Sequence, residues 1–317
     1  MPYRADLDGL RAVAILLVIV NHTGLPIQAA AAGVTAFFVL SGYLITSILI
    51  GEERVDLRAF YQRRLRRLAP GFLVMLAITG VLGVVGAYGG HWRPDRFVAS
   101  IFYVSNWSVL GGPPFGPTDH AWSLAIEEQF YLSWPLLVAL LPRRRLVLVA
   151  SIGVLAGLVI RSMSSADFGY FATPARMDGL FLGCVLALTG VRFPRPVGLI
   201  GLGLLGVAAL DTGSLAGLTT LATIAAGLIV ASETPLGVLA LLGKRAYSLY
   251  LWNSPMVLLF GAFGTGLTFV AGELSYRLIE RPFLRHRATQ ATDVPIEVVA
   301  SDPVIGIPAL VVEPSRA

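Results

Sequence analysis

The chain has 317 residues, of which 56% are hydrophobic and 34 are glycine, while Asp, Glu, Lys and Arg together make up only 14%. Soluble proteins carry about 25% charged residues, so this composition excludes an ordinary water-soluble globule and is written for a bilayer. The formal charge of +5, from 24 basic and 19 acidic residues, gains meaning from the clustering of the basic ones, which sets orientation in a membrane.

At the amino terminus Arg4 and Arg11 precede an apolar run from Ala12 to Val20, and Ala29-Ala30-Ala31 resembles a cleavage site. Asp6 and Asp8 offset that basic flank, and Asn21-His22-Thr23 follows the run directly. The segment is therefore read as a retained first transmembrane helix. Apolar stretches near the roughly 20 residues needed to cross a hydrocarbon core then recur, giving predicted spans at 10–28, 33–51, 68–88, 121–141, 145–160, 176–190, 196–210, 215–232, 246–262 and 264–280. Residues 97–110 are apolar but short and carry Ser105-Asn106-Trp107-Ser108, which suits a re-entrant or interfacial piece.

Charge supports ten spans over eleven. With the amino terminus inside, the basic loops Arg54 to Arg67, Arg143 to Arg145, Arg192 with Arg195, Lys244 with Arg245, and Arg281 to Arg287 all lie on the cytoplasmic side. The opposite loops hold only Arg93, Arg96 and Arg161. The fold class expected is all-α: a polytopic integral membrane protein of about ten transmembrane helices, in the cell membrane, with both termini cytoplasmic. Residues 1–284 form the membrane domain. The tail 285–317 mixes proline with isolated apolar residues and is expected to be a disordered cytoplasmic extension.

Cys184 is the single cysteine, which rules out an intramolecular disulfide or a CxxC motif, and its apolar setting suits simple packing. The four histidines form no HxxxH or HExxH pattern, so no metal site is expected.

Ionisable residues inside a membrane are costly and so mark functional candidates. Arg11 lies near the cytoplasmic end of the first helix, and His22, eleven residues on, stands about 16 Å nearer the outer face. In Trp122-Ser123-Leu124-Ala125-Ile126-Glu127-Glu128-Gln129-Phe130-Tyr131, a depth estimate brings Glu127 and Glu128 level with His22. An imidazole beside a carboxylate is a suitable general base for a hydroxyl. Adjacent glutamates lie about 100° apart on a helix, so one is expected to face His22, with Glu128 favoured, and the other to pair with Arg176. The loop Tyr61 to Pro70 carries Arg63, Arg64, Arg66 and Arg67, of which Arg63, Arg66 and Arg67 share a helical face. Guanidinium groups grip phosphate oxygens in pairs, which suits a nucleotide-like donor; a topology anchor at the lipid headgroups is the competing reading.

These residues carry a resemblance. Arg4 to Ala14, with ten residues between Arg11 and His22, is similar to the opening signature of the acyltransferase family 3 membrane proteins, which O-acylate sugars and natural products. Gly33 to Thr46, the paired RxxR pattern at Arg63 to Arg67, Trp122 to Leu132, Arg176 to Leu180, Tyr247 to Trp252 and Ser275 to Phe283 follow in the same order. The resemblance implies transfer of an acyl group, commonly acetyl, from cytoplasmic acyl-CoA to a hydroxyl of a glycan or glycosylated metabolite. It implies Arg11 and His22 as essential residues, the arginine cluster as the donor site, and Ser41, Ser123, Arg176, Asp178 and Glu280 as supporting positions. Thr35 and Asn253 depart from the family pattern, where Asp and His are common. No fused extracytoplasmic domain follows, so action alone or with a separate partner is expected. The partners implied are acyl-CoA, the acceptor and the bilayer, with no nucleic acid. The rival from another class is a secondary transporter of a small acid or lipid-linked sugar, since intramembrane Arg, His and Glu also suit carriers.

Overall fold

The computed structural model describes residues 3–23, 28–110, 112, 116–211 and 213–283. The expected tail 285–317 lies outside them. The described residues are helical apart from short connections and one isolated bridge between Phe193 and Ser232. In chain order the helices are α1 (Ala5–Val20), α2 (Ala29–Ile50), α3 (Leu57–Val84), α4 (Pro94–Ile101), α5 (Ser105–Ser108), α6 (Trp122–Leu140), α7 (Arg143–Met163), α8 (Ala166–Phe171), α9 (Thr173–Thr189), α10 (Arg195–Leu210), α11 (Leu215–Val230), α12 (Ala240–Gly243), α13 (Ala246–Phe260) and α14 (Ala262–Ser275).

Each of the ten apolar segments falls on a helix. By length and apolarity, four candidate membrane spans stand out: Ala29–Ile50, Leu57–Val84, Arg143–Met163 and the α8–α9 run Ala166–Thr189. The other helices on these segments are shorter or more polar. The stretch 97–110 breaks into the eight-residue α4 and four-residue α5, each too short to cross a bilayer.

Helix α3 starts eleven residues earlier than the apolar pattern suggests. Asp56 caps it, its carboxylate accepting from the Ala59 amide at 2.9 Å, so the arginine cluster belongs to the first turns of the helix. Helices α2 and α9 form the centre, with 67% of their apolar windows buried, whereas α3 and α7 keep 33% and 22% and turn Leu73, Val81, Leu148, Ile152 and Leu155 outward. The central pair meets through small residues, as membrane helices do. A β-carbon on Gly42 would lie 1.8 Å from the Leu180 carbonyl oxygen, and one on Gly183 would lie 2.2 Å from that of Val39. Helices α13 and α14 form a tight hairpin, turning at Gly261, whose φ of 57° and ψ of −140° suit glycine.

The connection into α6 is sunk into the bundle. Arg96 on α4 pairs with Asp119 at 2.5 Å, with 3% and 0% of the two side chains exposed, and Asp119 also accepts from the Gly116 amide at 2.8 Å. Gln129 on α6 donates to Asn106 at 3.0 Å, and Asn106 donates to Thr173 of α9 at 3.0 Å. These bonds fix where α6 begins and hence the depth of every side chain on it.

Candidate active site

Among the described residues, two of the cavities are lined by the residues singled out in the sequence. The first, about 370 Å³, is walled by Asp8 and Arg11 of α1, Phe37 and Ser41 of α2, Arg64 and Arg67 of α3, Ser123, Glu127 and Tyr131 of α6, Tyr247 and Tyr250 of α13, and Lys244, Tyr276 and Glu280. Four basic side chains face three carboxylates there. Asp8 is held by Arg11 at 2.5 Å. Glu127 accepts from Ser41 at 2.8 Å and from the Tyr131 hydroxyl at 3.2 Å, and Glu280, on a π-turn, accepts from Ser248. Arg64 lies 3.8 Å over the Tyr131 ring. Neither Arg64 nor Arg67 has a salt bridge among the described residues, so both guanidinium groups are available to an anion.

The arginine cluster presents a different face from the one expected. Arg64 and Arg67, one turn apart, line the cavity. Arg63 turns away to Glu52 at 2.7 Å, and the exposed Arg66 lines neither cavity. Spacing establishes which residues share a face, but the neighbours of α3 decide which face is covered.

The second cavity, about 600 Å³, is lined by Asn21 and His22 beyond α1, Val34 of α2, His120 and Trp122 at the entry to α6, Asp167 and Tyr170 of α8, and Tyr250, Asn253, Ser254 and Val257 of α13. His22 Nδ1 lies 3.0 Å from the Val18 carbonyl oxygen. A carbonyl only accepts, so Nδ1 carries the proton and Nε2 keeps a lone pair, the tautomer a general base needs. Neither ring nitrogen of His120 has a hydrogen-bond partner, nor does Asn253 Oδ1. Unpaired polar atoms are costly in protein interiors, and these three line the same cavity as His22.

The expected partnership of His22 with the glutamates is corrected by this geometry. Glu127, rather than the favoured Glu128, faces a cavity, and that cavity is the one without His22. The depth estimate placed the start of α6 at the outer boundary, whereas Thr118 and Asp119 are already buried at 2% and 0% exposure. His120 therefore shares His22's cavity, and Glu127, five residues past Trp122, lies about 8 Å further along α6. The partner expected for Arg176 is also corrected. Its guanidinium donates to Thr35 at 2.7 Å and lies 5.4 Å from each of the Phe38 and Tyr170 rings. Asp178 is taken by Arg161 at 2.6 Å and Thr223 at 2.9 Å. Ser123 shares a 2.6 Å bond with the Tyr250 hydroxyl. Cys184 is buried and bonded to the Leu180 carbonyl oxygen, a packed thiol.

Sequence reasoning passed over Asp8, His120, Tyr131, Lys244, Tyr247 and Tyr250. His120 stands two residues before Trp122, and the tyrosines sit in stretches already singled out, but only tertiary packing aims them at a cavity. Helix α1 reaches both sites: Arg11 lines one cavity, and Val18, with His22 in the turn just after the helix, lines the other.

The family model described as "Acyltransferase domain" matches residues 4–279. The chain belongs to this acyltransferase family. It is 31% identical over 349 residues to O-acetyltransferase OatA of Staphylococcus aureus strain NCTC 8325 / PS 47, a match covering 88% of this chain and 57% of that protein. OatA of strain MRSA252 matches with the same identity and coverage. SAS0844 of Staphylococcus aureus strain MSSA476 is 32% identical over 351 residues, covering 89% of this chain and 58% of that protein. The chain thus spans less than two thirds of the length of these relatives. No solved structure matches it. Among the described residues no cluster of His, Cys, Asp or Glu is arranged to hold a metal ion. Thr35, a departure from the pattern of this acyltransferase family, is the residue that Arg176 meets.

Proposed function

We propose that the chain is a membrane O-acyltransferase that moves an acyl group, acetyl in the first instance, from acyl-CoA to a hydroxyl of a glycan or glycosylated metabolite. The observation that carries this reading is the division of labour between the two cavities: unpaired arginines in one, a histidine with a free Nε2 lone pair in the other, and a tyrosine between them. Membership of the acyltransferase family and the names of the OatA relatives support it.

On this reading Arg11, Arg64, Arg67 and Lys244 hold the phosphates of the donor, and the acyl thioester reaches toward Tyr250. Nε2 of His22 takes the proton of the acceptor hydroxyl as its oxygen bonds to the acyl carbon. The carbon–sulfur bond breaks, and the CoA sulfur leaves with the proton that His22 returns. In the covalent variant Nε2 itself bonds to the acyl carbon as the carbon–sulfur bond breaks and CoA leaves as thiolate; the acceptor oxygen then displaces Nε2, and its proton passes to the thiolate. His120 and Asn253 offer their unpaired atoms to the acceptor. Glu127, held by Ser41 and Tyr131, acts on the donor side, where its charge steadies Arg64. Ser123, Asp178, Arg176 and Glu280 are supporting groups. The membrane arrangement that fits is ten spans with both termini cytoplasmic, so that the arginine cavity opens to the cytoplasm.

The test is release of CoA thiol from acetyl-CoA by purified protein. Release that rises with added glycan or glycosylated acceptor supports the reading. Accumulation of such a solute inside vesicles without CoA release would favour a transporter and defeat it.

A further inference from the structure

Among the described residues, Tyr250 is the one side chain that lines both cavities. Its hydroxyl donates to the His120 carbonyl oxygen at 2.5 Å and shares the 2.6 Å bond with Ser123. Its ring meets Phe37 edge-on at 6.5 Å, on the arginine side, and His120 at 5.4 Å, on the histidine side. Only 7% of the residue is exposed. Two hydrogen bonds and two ring contacts thus hold one aromatic side chain across the boundary between the two cavities.

We propose that Tyr250 is the partition that the acyl group crosses, and that its ring sets the upper length of the acyl chain the enzyme transfers. The inference rests on the acyl-CoA reading above. Beyond the ring there is space: the histidine cavity holds about 600 Å³, and beside its polar groups Val18, Val34, Leu215, Val257 and Leu258 give it an apolar wall against which methylenes could lie. On the donor side the thioester approaches between Phe37 and Ser123, where the ring blocks further entry. A two-carbon group presents its carbonyl at the edge of the partition. A longer chain must displace the ring and break both bonds to its hydroxyl before the carbonyl arrives at the same place.

The alternative limit is the donor cavity, where a long chain would simply fail to bind. The two are separable because the side chains assigned to the phosphates, Arg11, Arg64, Arg67 and Lys244, are different groups from Tyr250. Loss of the ring then changes which acyl groups react while leaving CoA binding in place.

The experiment uses membrane vesicles from the producing strain, with their resident acceptors, carrying the wild-type chain, Tyr250→Phe, Tyr250→Leu or Tyr250→Ala. CoA thiol release above that of vesicles lacking the chain is measured with acetyl-, butyryl- and octanoyl-CoA, alongside acetyl-CoA affinity as a check on folding. The wild type is expected to use acetyl-CoA at least about tenfold better than octanoyl-CoA, the scale on which a pocket discriminates chain length. Tyr250→Ala should shift that ratio toward octanoyl by about tenfold or more. Tyr250→Leu should fall between, and Tyr250→Phe, which keeps the ring but loses the two hydroxyl bonds, should retain more of the acetyl preference than Tyr250→Leu. An unchanged ratio in Tyr250→Ala and Tyr250→Leu variants that still bind acetyl-CoA overturns the proposal. So does a wild type indifferent to chain length, or a Tyr250→Phe variant as relaxed as Tyr250→Ala. Absence of chain-dependent CoA release with every donor instead defeats the acyl-CoA reading, and this inference falls with it.

Discussion

The two RxxR pairs in the cluster, Arg63 with Arg66 and Arg64 with Arg67, are chemically identical, yet only the second pair lines the arginine cavity. Replacing Arg64 or Arg67 with Gln removes a guanidinium that forms no salt bridge among the described residues. A charge-assisted hydrogen bond contributes about 1.5 to 3 kcal/mol, so loss of one from each arginine should weaken acetyl-CoA binding by about 10- to 150-fold. Arg63 is tied to Glu52 at 2.7 Å, with 35% and 28% of the side chains exposed, and such surface pairs are worth about 0 to 1 kcal/mol. Arg63→Gln and Arg66→Gln should therefore leave affinity within about fivefold of wild type. Arg67→Lys is the useful intermediate, since it keeps a charge but loses the planar fork. Binding of radiolabelled acetyl-CoA to purified protein measures all five variants, with insertion checked by protein recovered in the membrane. Equal losses from all four Gln variants would refute the reasoning, as would a loss confined to Arg63 and Arg66, because either would make net charge or the outer face the determinant.

Two further consequences concern the entry to α6 and the orientation of the chain. Asp119→Asn leaves Arg96 buried without its counter-charge, which costs about 3 to 5 kcal/mol, and should appear as a large fall in thermal unfolding temperature in detergent. A small change would mean that the pair does not fix the recessed turn carrying His120. A cysteine at Gly90, where a β-carbon meets nothing within 4 Å, should react with an impermeant maleimide from outside intact cells once Cys184 is replaced. Labelling only after lysis would contradict an outside segment at 89–120.

The helices were legible in the sequence because apolar length is a one-dimensional property, and each apolar segment lies on a helix. Where α3 begins was not, since Leu57 to Arg67 is too polar to register as part of a span and its helix is started by the Asp56 cap. The arginine face failed for a related reason: periodicity states which residues point together, and the choice between Arg64 with Arg67 and Arg63 with Arg66 is made by helices distant in sequence. Pairing His22 with Glu127 or Glu128 failed because equal residue counts from assumed membrane boundaries imply equal depth only when helices start at the same level. The Arg96–Asp119 pair buries the turn that leads into α6. Tyr250 was visible as part of Tyr247 to Trp252, but its place between two cavities exists only once α1, α2, α6 and α13 are assembled.

The central claim is that donor binding and acyl transfer occupy different cavities joined by α1, and His22→Ala tests it most directly. The substitution removes Nε2 from the second cavity, and His22 itself does not line the arginine cavity. Acetyl-CoA affinity and acceptor-dependent CoA release are to be measured on the same purified preparation. The account predicts affinity within about threefold of wild type and turnover lower by about 10² to 10⁴, the usual loss with a general base. Turnover above about a tenth of wild type would contradict a chemical role for His22, and a parallel loss of affinity would contradict the separation of the two sites.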